Sequence, residues 1–260
     1  MRVIIVKDYK EMSTRAAKVV ANRIGKKPDL VLGLATGSTP VGMYSELIRM
    51  HKQEGLDFSK VRSFNLDEYC ELSSDHPQSY HYFMHDKLFN HINIRPENIY
   101  IPIGDVENAN ISCEWYEKKI KEEGGIDLQI LGIGRDGHIG FNEPGSSLGS
   151  RTRIKTLTKE TIEDNARFFK KREEVPLYAI TMGLGTISEA RECLLLASGT
   201  NKTEAIQKSI EGPVSAEITA SLLQLHPRAI IIIDEEAAQN LRQKDYYRYA
   251  EKMAEKLERK

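Results

Sequence analysis

The sequence predicts an α/β chain built on a single doubly wound, mostly parallel sheet with helices on both faces, a Rossmann-like arrangement. Two observations carry this. Short β-branched apolar runs recur along the chain, and the stretches between them bring back apolar residues every three or four positions. Continuous apolar runs suit strands covered on both faces, and the longer spacing suits amphipathic helices. Their alternation implies right-handed crossovers and a ligand crevice beyond the carboxyl ends of the strands.

The first strand is expected at residues 3–6, an apolar run ended by Lys7 and Asp8 and too short for the core of a signal peptide. A second follows at 30–34, and after it Val41, Tyr44, Leu47 and Ile48 mark a helix. Further strands are expected at 61–65, 98–101, 128–133, 179–182, 193–197 and 229–233. A helix from about residue 78 to 90 would carry His81 and His85. The charged stretch 242–260 mixes both signs and reads as a solvated or partner-packed helix. No Pro/Gly/Ser-rich linker divides the chain and no repeat is visible, so residues 1–260 are expected to form one domain.

Thirty-seven Lys and Arg against 38 Asp and Glu give a net charge of −1, which supplies no global reason to bind nucleic acid or an anionic membrane. Any anion must be held locally. The apolar run near the C-terminus is five residues long, against about 20 for a membrane helix. Cys70, Cys113 and Cys193 lack the paired spacing of a disulfide framework or zinc site. A soluble, cytoplasmic protein is expected.

After the second strand comes Ala35-Thr36-Gly37-Ser38-Thr39-Pro40. Pro40 suits the first turn of a helix, where its missing N–H costs nothing. The free N–H groups of that turn, the positive dipole end and three hydroxyls would face the strand ends and bind a phosphate. The alternative is that Ser38 or Thr39 only caps the helix. The loop matches neither a Walker loop nor GxGxxG, so a monophosphate is favoured over a nucleotide.

The strand at 61–65 leads to Asp67 and Glu68. Adjacent side chains of an extended chain leave on opposite faces, so at most one points into the crevice, and Asp67 is the candidate. After the strand at 128–133, residues 132–145 hold five glycines around Asp136, His138 and Glu143. An imidazole with neighbouring carboxylates is equipped to move protons near neutral pH. The same three residues are also a possible metal set. His81 and His85 lack the Glu that a zinc helix needs, because Tyr82 stands there, and no metal is expected.

The runs LGLATGSTP at 32–40, FNLDEY at 64–69, LGIGRDGHIGFNEPG at 131–145, SRTRIKTL at 150–157 and LQLHP at 223–227 resemble the glucosamine-6-phosphate deaminases in order and spacing, over nearly the whole chain. The resemblance implies an aldose-ketose isomerising deaminase of amino sugar catabolism, turning glucosamine 6-phosphate and water into fructose 6-phosphate and ammonia. Carried over by position, it makes Asp67 the base for the C2 proton and His138 the ring-opening imidazole, oriented by Asp136 and Glu143. Gly37, Ser38, Thr39, Arg167 and Lys202 would bind the phosphate, and no organic cofactor is implied. It also implies a mobile flap at about 158–179, whose charged composition suggests little apolar surface to hold it down.

Regulated members are homo-oligomers that bind the activator N-acetylglucosamine 6-phosphate between subunits, at positions matching Ser146, Arg153 and Lys155 and the amine of Met1. A tyrosine of that site is replaced by Arg248, between Tyr247 and Tyr249. If the segment is extended, Arg151, Arg153 and Lys155 share one face, as an anion site or as a charged edge strand. Two alternatives share the resemblance: the 6-phosphogluconolactonases, which differ after DGH, and the sugar-phosphate-sensing modules of transcription regulators. The latter carry an N-terminal DNA-binding domain, for which a first strand at residue 3 leaves no room.

Overall fold

The computed structural model describes residues 1–167 and 169–258. Its first half runs β1 (Arg2–Val6), α1 (Tyr9–Lys26), β2 (Val31–Leu34), α2 (Val41–Glu54), β3 (Arg62–Asn65), β4 (Asp67–Tyr69), α3 (Tyr80–Lys87), β5 (Ile99–Tyr100), α4 (Ala109–Glu122) and β6 (Leu128–Leu131). The second half runs β7 (Arg153–Thr156), α5 (Lys159–Ala166), β8 (Tyr178–Thr181), α6 (Leu184–Ser188), β9 (Cys193–Ala197), α7 (Thr203–Glu211), β10 (Ala229–Asp234) and α8 (Lys244–Glu258).

Seven strands form a parallel sheet in the order β1-β10-β9-β6-β2-β3-β5. From β2 the chain moves outward through β3 to β5, then returns to the other side of β2 as β6 and continues to β9 and β10. The direction reverses between β2 and β6, and that reversal opens a crevice above the strand ends. This is the doubly wound fold expected, and each of the eight apolar runs is a strand. One of them, β8, lies outside the large sheet and joins an antiparallel sheet of order β4-β8-β7.

The central strands are buried at every position of β2, β6, β9 and β10. Helix α1 lays Met12, Ala16, Ala17, Val20 and Ile24 against the sheet, and Asp8 caps it by accepting the Glu11 N–H at 2.9 Å. Each such aliphatic side chain larger than alanine contributes about 1.5–3 kcal/mol when removed from water. Buried aromatic hydroxyls pin strand ends: Tyr44 on α2 donates to Ala35 O at 2.5 Å, and Tyr116 on α4 donates to Asn65 O at 2.7 Å.

The helix expected over 78–90 ends at Lys87, and Phe89–His91 form a separate 3-10 turn. The charged C-terminal stretch docks on its own chain as α8, where Glu251 binds Arg2 and Arg15. Residues 259–260 of that stretch, and Phe168 of the expected flap, lie outside the described residues. The three cysteines are free and buried. Among the described residues no helix is long and apolar enough to cross a membrane.

Candidate active site

A cavity of about 180 Å³ opens where β2 and β6 diverge. One wall is the loop 35–39 and another the glycine-rich loop after β6, as the topology requires. Gly37 has φ +92°, a left-handed conformation that a side chain would strain, and it turns the loop over the end of α2. Pro40 occupies the N-cap and no side chain caps the helix, so the reading of Ser38 or Thr39 as a mere cap does not hold. Both line the cavity. From α1, Tyr9 braces the loop: its hydroxyl accepts the Gly42 N–H at 2.8 Å and donates to Ser38 O at 3.1 Å.

Arg167, at the end of α5, and Lys202, before α7, line the same cavity as Gly37, Ser38 and Thr39. Burial pulls the Lys202 ammonium below its ordinary pKa, and the neighbouring Arg135 and Arg167 add to this. The loop leading to Lys202 hangs on Asp234 at the end of β10, which accepts from Ser198 Oγ and Gly199 N. In the sequence, the signal for this brace is an acid closing an apolar run.

Asp67 opens β4, reaches the cavity, and is 5% exposed. Burial, then the charge of Glu68, push its carboxyl up to about 8, while His138 pulls in the other direction. Glu68 is equally buried but turns to the start of α3, so the two carboxylates part as their alternation demands.

The glycine-rich loop folds back on itself, with Gly134 N–H donating to His138 O at 2.8 Å. A Cβ on Gly134 would sit 2.6 Å from Asp136 Oδ1 and from a His138 ring carbon, so only glycine admits this close approach. His138 Nδ1 lies 2.8 Å from Asp136 Oδ1 and 3.4 Å from Glu143 Oε2, off the axis of a linear hydrogen bond to either. Burial disfavours the imidazolium, but the two carboxylates outweigh it and raise the pKa to about 9. Burial acts against the charged carboxylates too, and the imidazolium still holds Asp136 and Glu143 below their ordinary values. The donor atoms of the three lie within 4.8 Å of one another, a spacing open to a proton relay or a cation.

Residues of the expected flap close the cavity. Thr161, Asp164 and Asn165 of α5 line it, together with Tyr80, which the sequence did not single out. The Asp164 carboxylate accepts from Nε and Nη2 of Arg135, joining α5 to the glycine-rich loop. The Thr158 N–H donates to Glu143 Oε1 at 3.2 Å, and its hydroxyl caps α5. The segment has more apolar anchorage than its charges suggested. Val175 and Ala179 are buried within it and Leu157 just before it, and Phe169 meets Tyr69 edge-on at 5.9 Å.

The residues matched to an activator site are only partly assembled. Arg153 donates to Asn142 Oδ1 at 2.9 Å, and Ser146 is buried at the end of the same loop. Lys155 follows on β7, an edge strand, whereas Met1 lies exposed before β1, which is the opposite edge strand of the large sheet from β5. Arg151 does not join the row of cations. It precedes β7 and is ion-paired to Glu117 and Glu189.

The family model for glucosamine-6-phosphate isomerases and 6-phosphogluconolactonase matches residues 7–232. A glucosamine-6-phosphate deaminase of Thermoanaerobacter pseudethanolicus is 58% identical over 238 residues, 92% of this chain and 94% of that protein. One from Shewanella woodyi is 52% identical over 257 residues, 99% and 97% of the two chains. A solved monomeric glucosamine-6-phosphate deaminase superposes with a TM-score of 0.90 at 47% identity, covering 92% of this chain and 99% of that one. The 6-phosphogluconolactonase of Trypanosoma cruzi superposes at 0.75 with 22% identity, over 93% and 97%, and shares the fold.

Proposed function

The chain belongs to the family of glucosamine-6-phosphate isomerases and 6-phosphogluconolactonases, and we propose that it is the deaminase, converting glucosamine 6-phosphate and water into fructose 6-phosphate and ammonia. One observation carries the reading. A single cavity unites a hydroxyl-rich, uncapped helix start and two cations with a buried carboxyl and an imidazole held between two acids. The lactonase alternative has weaker support, because solved lactonases match at 16–22% identity against 47% for the solved deaminase and 52–58% for the deaminases matched by sequence.

The phosphate sits on Gly37, Ser38 and Thr39 with Lys202 and Arg167, which fixes the sugar through an atom remote from the reacting carbons. His138, as imidazolium, protonates the ring oxygen as the C1 hydroxyl loses its proton, and the ring opens to the aldehyde. Asp67 takes the C2 proton and returns it to C1. The enolamine becomes an imine at C2, water adds, and the C–N bond breaks with release of ammonia. Carbon oxidation is exchanged within the sugar, so the step needs no external electron acceptor. We read the enzyme as a cytoplasmic homo-oligomer, activated by N-acetylglucosamine 6-phosphate bound at Ser146, Arg153 and Lys155 with Met1 of another subunit. Superimposable saturation curves with and without that compound would overturn the activation.

The test is incubation of the purified protein with glucosamine 6-phosphate, measuring ammonia and fructose 6-phosphate in equal amounts. Hydrolysis of 6-phosphogluconolactone without deamination would make it a lactonase, and binding without turnover a sensor. A chelator is expected to leave deamination unchanged. Loss of activity that returns with a divalent metal would reassign Asp136, His138 and Glu143.

A further inference from the structure

Glu68 is a buried acid to which the reaction assigns no step. Its Oε1 accepts the N–H groups of Tyr69 and Tyr80, and its Oε2 that of His81, each at 2.8 Å. Tyr80 and His81 form the first turn of α3, whose next N–H, from Tyr82, is taken by Ser79 Oγ at 3.0 Å. Burial pushes the Glu68 carboxyl up, and the three N–H groups, together with the helix N-terminus, oppose this by favouring the ionised form. Glu68 therefore ties β4 to the helix whose first residue, Tyr80, lines the cavity and stacks on Phe141 at 6.0 Å.

We propose, resting on the deaminase reading, that Glu68 is a positioning residue: its carboxylate locks the strand carrying Asp67 to the helix carrying Tyr80 and holds a negative charge next to the base in the chain. The groups around Asp67 leave this role to it. From the glycine-rich loop His138 faces Asp67 with opposite charge. From α2, α3 and α4 come Tyr44, Tyr80 and Tyr116, and Tyr69 adds a hydroxyl from β4 itself. Burial keeps all four phenols neutral throughout the working range. Glu68 is the negative charge that bears on the base.

The test compares Glu68→Gln, Glu68→Asp and Asp67→Asn by the pH dependence of kcat/KM, with inhibition by inorganic phosphate as the control. Glu68→Gln keeps the shape and loses the charge. Its acid limb is expected to move down by about one pH unit, and its turnover to fall about ten- to a hundredfold as the base loses its placement. Inhibition by phosphate stays at the parent level. Glu68→Asp keeps the charge but shortens the reach, so turnover falls while the acid limb stays. An acid limb at the parent position in Glu68→Gln, or parent turnover, overturns the proposal. If Glu68→Gln does not fold, Glu68→Asp decides: an acid limb that moves although the charge is kept overturns it. Parent turnover in Asp67→Asn would instead show that the base reading itself is wrong, whatever the Glu68 variants do.

Discussion

At His138 two carboxylates compete for one imidazole nitrogen, and the result is a cation at neutral pH beside a carboxyl, Asp67, that is still largely protonated. With Asp67 at about 8 and His138 at about 9, the signs of the pH profile follow. In the proposed mechanism Asp67 must lose its proton to act as base, so kcat/KM is expected to rise as pH passes through about 8. In the same mechanism His138 must keep its proton to donate to the ring oxygen, so kcat/KM is expected to fall above about 9. A narrow bell is expected, whose two limbs belong to the coupled pair. Asp67→Asn should lose the acid limb and about two to four orders of magnitude in turnover, with KM little changed. Exchange of the C2 proton with solvent at the parent rate would remove Asp67 from this role. The alternation of a strand was enough to tell that one of Asp67 and Glu68 points inward. It could not say what the other does, because the partners of Glu68 lie 12 and 13 residues on, at the start of another element.

Two helix starts govern the site, one open and one closed. At α2 no side chain takes the capping position, and Tyr9 steadies the turn from outside. Tyr9→Phe removes those hydrogen bonds and keeps the ring. It should raise KM by about two- to tenfold with kcat retained, read from saturation curves. At α5 the cap is Thr158, whose N–H also holds Glu143. Thr158→Ala should cost about 1 kcal/mol of local stability, seen as faster amide exchange confined to α5. The large sheet was legible because its strands are continuous apolar runs. Strands β4, with Asp67-Glu68-Tyr69, and β7, with Arg153-Ile154-Lys155-Thr156, mix charge with apolar residues and give no such signal. The bracing by Tyr9 was invisible for another reason, since it spans 29 and 33 residues of sequence.

For the molecule as a whole, the buried Asp67 carboxyl weakens the fold that holds it. The folded-state pKa of Asp67 is about 8 against an ordinary 3.8, so between those values the unfolded chain binds fewer protons than the native one. Stability contributed by this group is present below the ordinary value and is lost as pH rises toward 8, by up to about 1.4 kcal/mol per pH unit. Asp67→Asn should therefore unfold at higher denaturant than the parent at pH 8, with the gap closing toward pH 4. A gap independent of pH would contradict the burial argument. At this scale the alternation of strand and helix announced the architecture, while the order of strands did not appear, because β1 finds its neighbour β10 at the other end of the chain. The small sheet adds something mechanical. Strands β7 and β8 flank the segment expected to form a flap, and β8 is also hydrogen-bonded to the strand that begins with Asp67. A displacement of that segment would be carried through β8 to the strand of Asp67, so the pairing predicts that the cover of the cavity and its buried carboxyl respond together to a ligand. Ligand binding should slow exchange of the β4, β7 and β8 amides together, with one common rate.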